Sequence, residues 1–226
     1  MTRRIRDVNG PNDNPTVDTI TVNTSMVIGS STLTEAEVNQ LDQANNATNI
    51  GAAATVTGTL ATSITRIGSY FRIDFTLTAV SISVTDAGVS GSYGSTKLFD
   101  FAAGAVSFLG CRQDYTAFAE GAALTGAAGD ASFEIGLGTT AISAAADGTL
   151  GNGVNENVGQ AVAVTLSGGT GTGTAVDGAK TTALDGTATA IDLNLNWSGT
   201  AATIDANSTI TVTGTITVVG VMLGDD

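Results

Sequence analysis

The stretch YFRIDFTLTAVSISV, Tyr70 to Val84, restricts the architecture of this chain more than any other. Phe71, Ile73, Phe75, Leu77 and Ala79 take alternate positions, with Arg72, Asp74, Thr76 and Thr78 between them. A repeat of two is the period of a strand with one face in a core and one in water. After Ala79 the apolar set moves to Val80, Ile82 and Val84, a shift of one residue. Such a shift turns the core face outward unless a bulge or a change of sheet absorbs it. The stretch therefore reads as one long strand, bent or bulged near Ala79 and Val80, at the centre of a two-sheet sandwich.

The rest of the body follows the same alternation. Val56, Leu60 and Ile64 mark a strand before it, and the Gly/Ser turn DAGVSGSYGS follows it. From Lys97 to Leu109 the apolar residues are Phe99 and Phe101, then Val106 and Phe108, with a change of phase across Gly104 like that at Ala79. Phe133, Ile135 and Leu137 predict a short strand, and Val162, Val164 and Leu166 another. Ile191, Leu193, Leu195 and Trp197 alternate with Asp192, Asn194 and Asn196, which predicts a half-buried strand. Ile210, Val212, Ile216 and Val218 alternate with threonines in the last one, Ser208 to Val218. Strands with Gly-rich connections and almost no helix predict an all-β fold, an antiparallel β-sandwich of jelly-roll-like type over residues 51–226. Two connections, Thr139 to Val158 and Gly168 to Ala188, read as long and structureless, projecting from one end. Loops longer than ~12–15 residues are usually functional or disordered.

Residues 1–50 read as an N-terminal arm. Pro11 and Pro15 sit among Asn, Asp and Gly, which favours extended or turn backbone. A β-prone piece, TVDTITVNTSMVI, contains Ile20, Val22 and Val27 and is suited to adding to a sheet edge. One short helix is predicted near residues 34–43. There Thr34 and Glu37 form a capping box, Leu33 staples onto Val38, and Leu41 continues the apolar stripe. Arg3, Arg4 and Arg6 put three of the eight cations at one end, either as a solubilising tail or as an anchor for an acidic partner surface.

Charge and residue usage narrow the chemistry. The formal net charge is −13, which disfavours a nucleic-acid surface because phosphate repels it. There is no histidine, so Ser-His-Asp, Cys-His and His-bearing metal arrangements are out. The single cysteine, Cys111, ends an apolar run and reads as an inert buried thiol. No run reaches the ~20 apolar residues of a membrane-spanning helix. The basic start, MTRRIRDVNGPNDNP, is followed by polar residues rather than the apolar core of a secretory leader. Asp147, Asn152, Asn155 and Glu156 offer oxygen ligands for Ca²⁺, but their spacing misses the EF-hand frame and a solvated loop is the better reading. GGTGTGT lacks the spacing of a nucleotide loop and reads as a flexible turn. Asp74, Asp100 and Glu134 interrupt strands as outward-facing carboxylates, and spacing singles out no glycosidase-type pair among them. No cofactor site is marked.

The segment TLTEAEVNQLD resembles the LT-x-x-E-[LV]-N-x-LD segment found near the start of tailed-phage head and tail accessory proteins. FEIGLGTT (Phe133 to Thr140) and LNLNWSGTAATIDANSTITVTGTITV (Leu193 to Val218) are similar to the small-residue, β-rich bodies of capsid-associated proteins of marine phages. The resemblance implies a non-enzymatic virion structural protein: a bacteriophage capsid decoration, or cement, protein. Its arm, with Arg3, Arg4, Arg6, Ile20, Val22, Val27, Leu33, Val38 and Leu41, would bind the major capsid protein. The body would pack with its own copies as a homotrimer, on the capsid exterior after synthesis in the host cytoplasm, with no nucleic acid and no membrane as partner. The alternative is a head or tail fibre or adhesin subunit whose Gly/Thr loops contact host glycans, with Tyr93 and Tyr115 as loop aromatics. A glycan-active enzyme is a third possibility, with no acid pair marked for it.

Overall fold

The computed structural model describes residues 25–28, 31–34, 50–120, 132–145, 150, 154–165, 170–177, 184, 186, 189–200 and 206–224. The chain groups into two units, Met1–Gln43 and Ala44–Asp226. In the first, β1 (Ser25–Ile28) and β2 (Ser31–Thr34) pair antiparallel, with Ile28 opposite Ser31. Thr34, the expected helix cap, closes β2; the remainder of the predicted helix lies outside the described residues.

The second unit is antiparallel β throughout: β3 (Gly51–Ala53), β4 (Thr59–Ile67), β5 (Tyr70–Asp86), β6 (Ser92–Phe101), β7 (Ala105–Glu120), β8 (Ser132–Gly138), β9 (Gly159–Thr165), β10 (Thr170–Asp177), β11 (Asp192–Gly199) and β12 (Ser208–Gly224). The only helical element among the described residues is a 3₁₀ turn, Gly88–Ser90. The sheet runs β10-β7-β12-β5-β6-β11-β8-β9 and branches at β5 and β6. The first half of β5 pairs with β4, and its last residues pair with the start of β6. The far end of β6 pairs with β3. At the other extreme the sheet nearly closes. A Cβ on Gly173 of β10 would stand 2.8 Å from the Val162 side chain on β9. Beside this seam Gln113 Nε2 of β7 donates to the Gln160 carbonyl of β9 at 2.8 Å, and Gln113 Oε1 accepts from the Tyr115 hydroxyl of its own strand at 2.7 Å.

The phase shift in β5 is a bulge. Val80 faces Val212 and Leu77 faces Gly214, so Thr78 and Ala79 oppose Thr213 alone. Ala79 sits at φ 49°, in the left-handed region, and its N–H donates to Thr213 Oγ1 at 3.0 Å. Gly58 accommodates the kinked carbonyl: at φ +102°, any Cβ there would lie 2.2 Å from the Ala79 oxygen. With one residue absorbed, Phe71, Ile73, Phe75, Leu77, Val80, Ile82 and Val84 all enter the same core.

That core holds every phenylalanine of the chain, together with Tyr115 and Trp197. Phe75, Phe99, Phe101, Phe71 and Phe108 form one run of ring contacts, and Tyr115, Phe118, Phe133 and Trp197 a second. Several expectations need correction. The stretch 97–109 is not one strand, since β6 ends at Phe101 and β7 starts at Ala105. Val56 packs on the core from outside β4. The presumed flexible turn in 168–188 contains β10, whose register along β7 runs from Thr170–Ala119 to Asp177–Cys111. Strand β11 is not half-buried: Asn194, Asn196 and Ser198 are buried along with Leu193, Leu195 and Trp197.

Candidate functional site

The reason β11 is buried on both faces is the connection after β8. Its described residues, 139–145, 150 and 154–158, include the partners of Asn196 on the outward row of β11. Asn196 is the tether. Its Oδ1 accepts from the Ile142 N–H at 3.0 Å and from Ser95 Oγ at 2.7 Å, while its Nδ2 donates to the carbonyls of Thr140 (2.9 Å) and Asn155 (2.8 Å). Asn155 Nδ2 in turn donates to the Thr140 carbonyl, and Asn157 pairs with Thr139 through both backbone and side chain. Glu134 Oε2 accepts from the Leu150 N–H, and Glu156 Oε2 from that of Ala161. The close seating requires Gly138, where a Cβ would stand 2.4 Å from the Asn155 carbonyl carbon. Asn155 and Glu156, weighed as calcium ligands, therefore serve as loop ties, while Asp147 and Asn152 lie outside the described residues. Among the described residues no three His, Cys, Asp or Glu side chains converge as a metal site.

A second cluster lies where β6 and β11 pair. Asp100 stands directly opposite Asp192. Lys97 Nζ is 2.6 Å from Asp100 Oδ1 and 3.6 Å from Asp192 Oδ1. The hydrogen bond from Lys97, then that from Asp192, holds the Asp100 carboxyl below its ordinary range. Partial burial, reinforced by the hydrogen bond with Asp100, pushes Asp192 up. Asp192 also borders an open cavity of about 340 Å³ with Thr139, Leu184 and Ile191. Two carboxyls with pKa values driven apart can exchange a proton. Asp100 is hydrogen-bonded to Lys97 and Asp192 is ion-paired with it, so a cation of the chain occupies the position between them rather than a sugar.

A third feature occupies the outer face of β4, β5, β12 and β7. Most of this face is hydroxyl and paired charge: Arg72 Nε is 2.8 Å from Asp74 Oδ2, and Thr217 Oγ1 donates to Asp74. Burial alone would raise the Asp74 carboxyl, but hydrogen bonds from Arg72 and Thr217 outweigh it and hold the group low. Toward the β4–β5 hairpin the face turns apolar. Ile67 pairs with Tyr70, and Tyr70 with Val221, while Arg72 pairs with Val219. Leu109 joins them because it is the extra residue of a bulge in β7, between the Gly110–Val219 and Phe108–Gly220 pairs. The hairpin closes through Gly68 at φ +60°, and Arg66 Nε donates to the Gly68 carbonyl at 2.7 Å. Together Ile67, Tyr70, Leu109 and Val219 border a shallow apolar groove of about 270 Å³.

Of the arm residues assigned to partner binding, Val27 and Leu33 lie in β1 and β2. Val27 pairs with Thr32 and Leu33 with Met26, so the two stand at register positions of opposite face. Arg3, Arg4, Arg6, Ile20, Val22, Val38 and Leu41 lie outside the described residues. Neither loop aromatic is in a loop: Tyr93 is a half-buried residue of β6 and Tyr115 is buried in β7. The apolar face was not anticipated. Its signal is the end of β12, where Val219, Val221 and Leu223 make the outward positions apolar while Val218, Gly220 and Met222 fill the inward ones. No family model, curated protein or solved structure matches the chain.

Proposed function

We propose that this chain is a capsid decoration protein: a non-enzymatic β-scaffold that binds the exterior of a phage head and bridges neighbouring shell subunits. The observation that carries the proposal is an apolar surface on a strand scaffold whose described carboxylates and amides are largely tied into backbone and ion pairs. A side chain so tied braces the scaffold. The finer architecture belongs with this reading. Leaves β4-β5-β12-β7-β10 and β3-β6-β11-β8-β9 make a jelly-roll-like sandwich, continuous through the β5–β6 corner and stitched at the β9–β10 seam.

Stabilisation of a shell by such a protein is mass action, since a ligand of the assembled state opposes dissociation. Many copies make weak contacts effective together. Residues 1–43, with the Arg3/Arg4/Arg6 cluster, supply the shell anchor, and the acidic body keeps decorated particles apart. The partners are the major capsid protein and further copies of the chain. The fibre or adhesin reading loses Tyr115, which is buried at 1 % exposure and offers no ring to a glycan.

The test is removal of residues 1–43. The truncated body is expected to keep its cooperative unfolding transition and to lose co-sedimentation with assembled heads. Head binding retained by the truncated chain rules out the arm as anchor.

A further inference from the structure

We infer that copies of this chain meet one another through the apolar end of the β4-β5-β12-β7 outer face. The inference rests on the self-association within the reading above and assigns it a surface. Four side chains stand well into solvent there: Ile67 at 77 % exposure, Tyr70 at 60 %, Leu223 at 57 % and Leu109 at 39 %. With Val219 and Val221 between them they form one contiguous surface across paired strands. Gly220, on the inward side of β12, leaves room for the Phe71 ring in the core beneath this surface: a Cβ there would lie 2.4 Å from that ring.

Charge and area identify the occupant. Copies of a chain carrying −13 repel one another, and contact is favoured where net charge is absent. Arg72 is the charged residue bordering the groove, and Asp74 neutralises it through three contacts of 2.8–3.0 Å. An anionic partner therefore finds no uncompensated cation in the groove. The six side chains expose on the order of 500 Å², within the ~300–600 Å² at which a patch marks an interaction site. Two such patches face to face bury about 1,000 Å², the lower bound of a specific interface. A second copy supplies the matching half. The surface continues onto β4, where Thr59, Ala61, Ser63 and Thr65 are exposed and uncharged, and no strand pairs with its far side among the described residues.

Sedimentation velocity of the full chain over a dilution series tests this. The wild type is expected to associate, and Tyr70→Asp, Leu109→Asp and Leu223→Lys each to raise the dissociation constant at least tenfold. Val89→Asp is the control: Val89 is 94 % exposed on the 3₁₀ turn between β5 and β6, away from this surface, and its substitution is expected to change nothing. Leu223, near the end of β12, guards against misfolding as an explanation, and thermal melts of all variants check the fold. A wild type monomeric at every concentration overturns the inference, as do patch variants that associate normally, or a Val89→Asp effect equal to theirs. Head binding is scored separately by co-sedimentation. Its failure in an associating wild type counts against decoration and leaves this interface standing.

Discussion

Asp192 and Asp100 show how one register position sets the behaviour of a charge. Directly opposed carboxylates on neighbouring strands repel, and here Lys97 lies between them, 2.6 Å from Asp100 and 3.6 Å from Asp192. The two titrate with opposite consequences. Asp100 is held low, so its contribution is present above the ordinary carboxylate range and is lost as pH falls through its folded value. Asp192 is pushed up, so its contribution is present at acid pH and is lost as pH rises through its folded value. Asp192→Asn keeps a hydrogen-bonding group and removes the repelling charge. The variant is expected to be more stable than wild type at neutral pH, by at most about 1 kcal/mol for so exposed a group. That advantage is expected to shrink as pH falls toward the ordinary carboxylate range and to vanish below it, where Asp192 is protonated in both states. Thermal melts across pH 4–8 check this, and a gap independent of pH contradicts it.

At the scale of elements, Asn196 decides whether the 139–158 connection belongs to the body. Asn196→Ala would leave the Ile142 N–H and the Asn155 carbonyl without this partner in a buried setting, while the Thr140 carbonyl keeps Asn155 Nδ2. A loss of about 3 kcal/mol is expected, given ~1–3 kcal/mol for each buried group left unsatisfied and partial relief by water. Denaturant titration measures it, and limited proteolysis should show new cleavage between residues 139 and 158. The sequence made much of this body legible because alternation reports one-sided burial directly. The bulge at Ala79, strands β8 and β9 and the last strand all follow from it. What stayed hidden has a physical cause in each case. β11 alternates like a strand facing water, yet its Asn194, Asn196 and Ser198 are buried, and periodicity cannot distinguish solvent from a loop laid over the outward row. β10 is threonine and glycine around Ala175 and Val176, with too little apolar contrast to show a period. The second half of β7 places Gln113 inward, at the seam, where a polar residue breaks the expected pattern. The exposed apolar face escaped notice for the opposite reason. When both parities of β12 become apolar, the alternation that marks a strand fades just where the surface begins.

For the molecule as a whole, an acidic β-body with an apolar contact face suits work done by many copies rather than by one. A net charge of −13 opposes indiscriminate contact between copies, and neutral contacts at one face gain further weight once copies are held side by side. Decoration predicts a high and regular occupancy of the head. The direct measurement is a cryo-EM reconstruction of purified particles with the copies of this chain counted and located. Hundreds of copies over the outer surface of the head, at equivalent positions between shell subunits, are expected. A handful of copies confined to the tail, or none on the particle, would contradict decoration outright.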